Sequence, residues 1–229
     1  MEKQISRSVG DYIKAIYSFT TNQETTTTLA LAEQLSVAPS SVTSMLKKLA
    51  HFEPPLVNYQ KSYGVSLTNE GRQAALRLIR RHRLLETFLL KIMGYQWENI
   101  HGEADELEHV ISTRFEQHMA DLLGEPQFDP HGDPIPTRDL LLPTSNSIPL
   151  TQLSEGENAI IRRVHSSQSN LLRNLSDHGI VPGVTINIDS RNPIDQTLQL
   201  SVGNQRKPYV IGPDISRNIF VELNPRHDH

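Results

Sequence analysis

The sequence predicts an α+β protein in three parts: an N-terminal winged helix-turn-helix, a helical middle built for dimerisation, and a small β-barrel at the C-terminus. Three observations predict it. Apolar residues recur at helical spacing through most of residues 8–124, broken by one pair of short β-like runs near residues 56–67. A proline-rich stretch, "EPQFDPHGDPIPTRDLLLPTSNSIP", ends that pattern at residues 125–149, and short β-like runs separated by turn residues follow it. The implied division is 1–70 for the winged helix, 71–124 for the helical part, 125–149 for a linker and 150–229 for the barrel.

Val9, Tyr12, Ile13, Ile16 and Tyr17 share one helical face, so the first helix is expected over residues 8–19, with Asp11 and Lys14 on its polar side. Residues 20–28 are polar and β-branched and read as a loop. Leu29, Leu31, Ala32 and Leu35 give a short second helix its buried side. In "SVAPSSVTSMLKKLA", Ser36 and Val37 form a tight turn and Pro39 suits the first turn of a third helix, where its missing N–H has no intrahelical role. Val42, Met45, Leu46 and Leu49 face inward, which leaves Ser40, Ser41, Thr43, Ser44, Lys47 and Lys48 outward. Helix, turn, and helix with a short-polar and basic outer face is the plan of a DNA-reading helix-turn-helix. Small hydroxyls near the helix start approach base edges and phosphates; Lys47 favours phosphate.

"PLVNYQKSYGVSLT" then reads as strands over 56–59 and 65–67 joined through Lys61, Ser62, Tyr63 and Gly64, the wing of a winged helix. Thr68 is the expected N-cap of a long helix with Ala74, Ala75, Leu78 and Ile79 inward. After a break at 94–98 come a helix over 101–109 and an amphipathic segment ending at Gly124. These helices carry more apolar surface than a winged helix covers, which implies a second subunit. Beyond the linker, a short helix is expected over 168–178 and strands over 184–188, 197–202, 209–211 and 219–223, with turns at Gly183, Asn192-Pro193, Gly203-Asn204 and Gly212-Pro213. His131 and Asp133 lie among Pro and Gly and read as turn-shaping residues, and His227 and His229 as tail.

Composition excludes several classes. With no cysteine in the chain, zinc fingers, thiolate metal sites, disulfides and thiol catalysis are ruled out. No apolar run is long enough to span a bilayer, so a cytoplasmic protein with no membrane association is expected. Residues 1–93 hold twelve Lys/Arg against seven Asp/Glu, a net +5, and residues 94–229 hold ten against nineteen, a net −9. The basic end coincides with the winged helix.

Residues 81–109 hold two clusters of metal-ligand side chains. His82 and Glu86 stand one turn apart in "RHRLLETFLL", and His101, Asp105, Glu108 and His109 follow in "HGEADELEHV". Spacings of three and four put such groups on one helical face, among apolar residues that imply burial. A solvated acidic face accounts for Glu103, Glu106 and Glu116 without a metal. Buried carboxylates and imidazoles need a partner, and a shared divalent cation supplies one.

The chain resembles the diphtheria-toxin-repressor family of metal-dependent transcriptional regulators, including its manganese-sensing branch. The resemblance rests on "DYIKAIY", "APSSVTSMLKKL", "RHRLLETFL", "HGEADELEHV", "FDPHGDPIP" and a terminal SH3-like barrel beginning near "PLTQLSEGE", in that order. It implies a primary metal site at Asp11, Asp105, Glu108 and His109, and an ancillary site at His82, Glu86 and His101 with Gln168 from the barrel. Where iron-sensing members carry Met and Cys, this chain has Asp11 and Asp105; the harder donors suit Mn²⁺, with Fe²⁺ the alternative. Lys14 stands where some manganese-sensing members carry a second carboxylate, which favours two separate sites over a paired cluster. The expected function is a homodimer that binds a double-stranded DNA operator when loaded with metal and represses metal-uptake genes, with no catalytic residue. Two rivals are a winged-helix regulator sensing an organic ligand, which leaves Asp11 and "DELEH" unexplained, and a two-metal hydrolase, which leaves the winged helix without a role.

Overall fold

The computed structural model describes residues 5–21, 23–166, 168–203 and 207–224; His227, His229 and Asn204 lie outside them. The chain forms two compact units, the first comprising residues up to His82 with 105–116 and 136–141, the second 83–104, 117–135 and 142 onward. Helix α4, Asn69–Lys91, runs through both.

In the first unit, α1 (Arg7–Thr20) buries Val9, Tyr12, Ile13, Ile16 and Tyr17, the stripe expected of it. Helix α2 (Thr28–Gln34) starts at Thr27, whose side chain accepts a hydrogen bond from Ala30 N at 3.1 Å. Helix α3 (Pro39–Ala50) starts with Pro39 in its first turn after a connection that puts Ser36 at φ 53°. Strands β1 (Val57–Gln60) and β2 (Gly64–Leu67) pair antiparallel, Val57 opposite Leu67, as the wing. Ile13, Ile16, Leu31, Val42, Leu46, Leu49 and Val65 are fully buried in one core, so the three helices and the wing form a single folding unit. Thr68 Oγ1 accepts from Gly71 N at 3.0 Å at the start of α4, the N-cap that the sequence implies. Helix α5 (Ile100–Leu107) ends two residues sooner than expected, so Glu108 and His109 sit in the turn that leads to α6 (Thr113–Leu122).

In the second unit, a six-stranded antiparallel sheet runs in the order β3-β8-β4-β5-β6-β7. Its strands are β3 (Ile148–Pro149), β4 (Asn158–Val164), β5 (Thr185–Arg191), β6 (Leu198–Val202), β7 (Tyr209–Ile211) and β8 (Ile219–Leu223), with α7 (Ser169–Asp177) and α8 (Pro213–Ser216) between them. Ala159, Ile161, Val164, Ile186, Ile188, Leu198, Leu200, Val202, Ile219 and Val221 are buried along alternate positions, the pattern of a sheet with one covered face. Among the described residues β3 and β7 are edges, so the sheet is open and the closed barrel expected from the sequence is not formed by its hydrogen bonds. No helix of the described residues is long and apolar enough to cross a membrane.

Candidate metal centre and DNA-facing helix

The first unit gathers Asp11 from α1, His82 from α4, Asp105 from α5, and Glu108 and His109 from the turn after α5. Glu108 is fully buried and both of its oxygens are engaged: Oε2 lies 2.8 Å from His82 Nδ1, and Oε1 lies 3.0 Å from His109 Nε2 and 2.6 Å from Lys14 Nζ. Asp11 Oδ1 stands 3.7 Å from His109 Nε2, and Asp105 Oδ1 lies 3.4 Å from both His82 Nδ1 and Lys14 Nζ. One donor atom each from Asp11, Glu108 and His109 lies within 4.8 Å of the others, and the same holds for His82, Asp105 and Glu108. Arg81 fixes the turn by donating to Glu108 O at 3.2 Å and to Glu116 at 3.1 Å. Gly10 lets α1 come in: a Cβ there would meet His109 Cε1 and Leu78 Cδ1 at 3.0 Å.

Electrostatics bind this cluster tightly. Burial opposes ionisation of Glu108, yet the hydrogen bond from His82 and the charge of Lys14 outweigh it and hold the carboxyl below its ordinary range. Burial likewise works against charge on Lys14, and the Glu108 carboxylate overcomes it to raise the ammonium's pKa. Asp11 is pushed up, first by burial, with Lys14 and His109 pulling the other way. A carboxylate that resists ionisation beside an imidazole is a group that gains from an added cation.

In the second unit Glu86 is buried on α4, with His101 Nδ1 3.0 Å and His131 Nε2 3.8 Å from its Oε1. The linker delivers His131. Asp129 Oδ1 accepts from His131 N at 2.8 Å and Asp133 N at 2.9 Å, Trp97 Nε1 donates to Pro130 O at 2.9 Å, and Val164 N donates to His131 O at 2.8 Å. Gly132, at φ +87°, lies so close to β4 that a Cβ would stand 1.8 Å from Arg162 O. Asp133 meets Arg83, Arg163 and His165, each at 3.5 Å. Burial opposes its ionisation, but the hydrogen bond from His165 and the charges of Arg83, His165 and Arg163 bring its pKa down to about 2. Asp129 goes the other way, raised by burial and by the charges of Glu86 and Asp133.

On α3, Ser40, Ser41, Ser44, Lys47 and Lys48 are exposed, and Ser40, Ser41, Ser44, Met45 and Lys48 line an open hollow of about 410 Å³. Thr43 is half-buried and donates its hydroxyl to Pro39 O at 3.0 Å, so it is less free to reach outward than its neighbours. Tyr63 at the wing tip is 79% exposed.

Known proteins resemble this chain in each of its parts. Residues 4–65 match the family described as iron dependent repressor, N-terminal DNA binding domain, residues 68–137 its metal binding and dimerisation domain, and residues 148–223 the FeoA domain. The HTH-type transcriptional regulator MntR of Oceanobacillus iheyensis is 38% identical over 116 residues, 51% of this chain and 77% of that protein. A solved manganese-dependent transcriptional repressor in complex with manganese is 33% identical with a TM-score of 0.85, covering 94% of this chain and 99% of that one. The chain belongs to the diphtheria-toxin-repressor family of metal-dependent transcriptional regulators. The iron-dependent repressor IdeR of Mycobacterium leprae is 26% identical over 191 residues, 78% of this chain and 82% of that protein, so an iron-dependent and a manganese-dependent repressor both stand among the proteins it is similar to.

The residues present fit the family's cation. Ligand atoms about 2.1 Å from a six-coordinate ion lie roughly 3.0 Å apart as neighbours and 4.2 Å apart across it. The spacings of His109 from Glu108 and from Asp11, 3.0 and 3.7 Å, fall in that range. Of the residues singled out from the sequence, Asp11, Glu108 and His109 come together on one side of Glu108, and Asp105 and His82 on the other. Glu86 and His101 pair, while Gln168 is exposed at the N-cap of α7. Sequence reading gave His131 to a turn; nothing in the local pattern of "DPHGDP" signals its approach to Glu86, which depends on a linker docked on β4.

Proposed function

We propose that this protein is a homodimeric repressor that Mn²⁺ switches on for operator DNA, with Asp11, Asp105, Glu108 and His109 as its primary metal ligands and His82 bordering them through Glu108. A second site is built on Glu86 and His101, with His131 as the ligand contributed by the linker. The observation that carries the reading is Asp11: it is the member of the primary cluster on α1, which shares one core with the reading helix α3. When bound, a divalent cation supplies positive charge shared between Asp11 and the turn at Glu108 and His109. Asp11 then ties α1 to that turn, Arg81 holds the turn to α4, and Gly10 sets how near α1 lies to His109. Fixing α1 fixes the reading helix of each subunit, and a two-fold dimer must present those helices to half-sites about 34 Å apart or a multiple of that.

All the side-chain ligands named are oxygen or imidazole nitrogen, which favours Mn²⁺ over metals that seek thiolate, and a solved manganese-dependent repressor is 33% identical over 94% of this chain. Fe²⁺ is the second reading, supported by the iron-linked relatives. Ser40, Ser41 and Ser44 read bases, Thr43 contributes with its hydroxyl partly spent on Pro39, and Lys47 contacts phosphate. No residue in either cluster is assigned to catalysis. The FeoA-like domain, an open six-stranded sheet of SH3-like kind, tunes the response. The test is operator binding, on a duplex selected from a random pool, across buffered free Mn²⁺, Fe²⁺, Co²⁺ and Zn²⁺. Wild-type protein is expected to respond to Mn²⁺ at the lowest concentration that saturates, and Asp11→Ala to bind metal elsewhere yet lose the response. Full Mn²⁺ activation in Asp11→Ala overturns the bridging role.

A further inference from the structure

Lys14 lies one turn after Asp11 on α1 and turns its side chain into the primary cluster. Its Nζ stands 2.6 Å from Glu108 Oε1 and 3.4 Å from Asp105 Oδ1, with the lysine side chain 22% exposed and the Glu108 side chain fully buried. The oxygen it holds is also the one 3.0 Å from His109 Nε2, on the side where Asp11 approaches. The other oxygen of Glu108 is engaged by His82 at 2.8 Å. A cation placed between Asp11, Glu108 and His109 therefore shares an oxygen with the ammonium already bound to it, and the two positive charges repel.

Resting on the metal reading above, we propose that Lys14 is a tethered competitor for the primary site, which holds Glu108 and Asp105 in the metal-free protein and must release Glu108 when the ion arrives. A short charge-assisted hydrogen bond to a buried carboxylate is strong, and removing its partner leaves an uncompensated charge out of water. Lys14 thus allows three carboxylates to fold together without an ion, and it raises the concentration at which the ion enters. Charge sets the stoichiometry as well. Asp11, Asp105 and Glu108 against one ammonium leave two negative charges, the complement of one divalent ion. A second ion would lie against Lys14 with no carboxylate left to offset it.

The test uses the full-length protein carrying His101→Ala, which weakens the second cluster, as the parent. Mn²⁺ binding is followed by the electron paramagnetic resonance of the free aqua ion, with thermal unfolding measured with and without Mn²⁺. Lys14→Met, which keeps the chain length and removes the charge, is expected to bind Mn²⁺ at least tenfold more tightly than the parent, and its metal-free form to melt lower, with the loss recovered by Mn²⁺. Lys14→Arg, which keeps the charge, is expected to stay within about threefold of the parent. If Lys14→Met does not fold without metal, Lys14→Gln is measured to the same expectation. Equal or weaker Mn²⁺ binding by the neutral variants overturns the proposal. A parent that binds no Mn²⁺ overturns instead the metal reading beneath it, and this is seen before any variant is compared.

Discussion

Asp105 is the proposed ligand whose chemistry is easiest to change without moving the backbone. It lies on α5 with its side chain 40% exposed, 3.4 Å from both His82 and Lys14. Asp105→Cys shortens the reach by little and exchanges a hard oxygen for a soft sulfur, while Asp11, Glu108 and His109 keep their positions. The expected outcome is a shift of preference from Mn²⁺ toward Zn²⁺ or Co²⁺ with DNA binding still metal-dependent, read from competitive metal titrations and operator binding on one preparation. Unchanged preference would show that Asp105 serves Lys14 and His82 instead of the ion. Whereas Asp11 on α1 entered only through the family resemblance, Asp105, Glu108 and His109 were legible in the sequence because residue type and helical spacing are local properties. The engagement of Glu108 by Lys14 was not, since it joins positions 94 residues apart and depends on where α1 packs.

Among the elements, α3 was legible because Pro39, the apolar stripe and the outward serines and lysines all point to one helix in one orientation. Lys47→Ala should accordingly weaken binding to operator and random DNA alike, and lower the slope of log affinity against log salt by about one. A slope and affinity both unmoved would place α3 away from the backbone. Strand β4 was missed, although Ala159, Ile161 and Val164 are buried along it. A register shift between Ile161 and Arg163 breaks the two-residue alternation on which such a reading depends, and the adjacent Arg162 and Arg163 look like a surface loop. The linker docks on this strand through Gly132 and Asp133, and that contact carries an acid sensitivity. The folded pKa of Asp133 is about 2, below its ordinary 3.8, so its stabilisation is complete above the unfolded pKa and is lost as pH falls through the folded one. Metal-free protein should lose on the order of 2 kcal/mol between about pH 4 and pH 2 through this group. Asp133→Asn should flatten that part of the curve in urea unfolding; a curve of unchanged steepness would assign the acid loss to other carboxylates.

At the scale of the whole molecule the two activities are bound by thermodynamic linkage. If filling the primary site raises operator affinity by some factor, operator must raise metal affinity at that site by the same factor, and couplings of this kind usually amount to 5–150-fold, about 1–3 kcal/mol. The reasoning applies here because Asp11, the metal ligand proposed on α1, lies on the helix that shares the α3 core and faces His109 in the turn after α5. Mn²⁺ titrations with and without saturating operator, and operator titrations with and without saturating Mn²⁺, should return one factor. In Asp11→Ala both ratios should fall together toward unity, even where some Mn²⁺ affinity survives on Glu108 and His109. Two unequal factors on a dimer of constant stoichiometry are forbidden by linkage alone. Finding them would show that a further equilibrium, the association of subunits, carries the metal response in place of the tie between α1 and the turn.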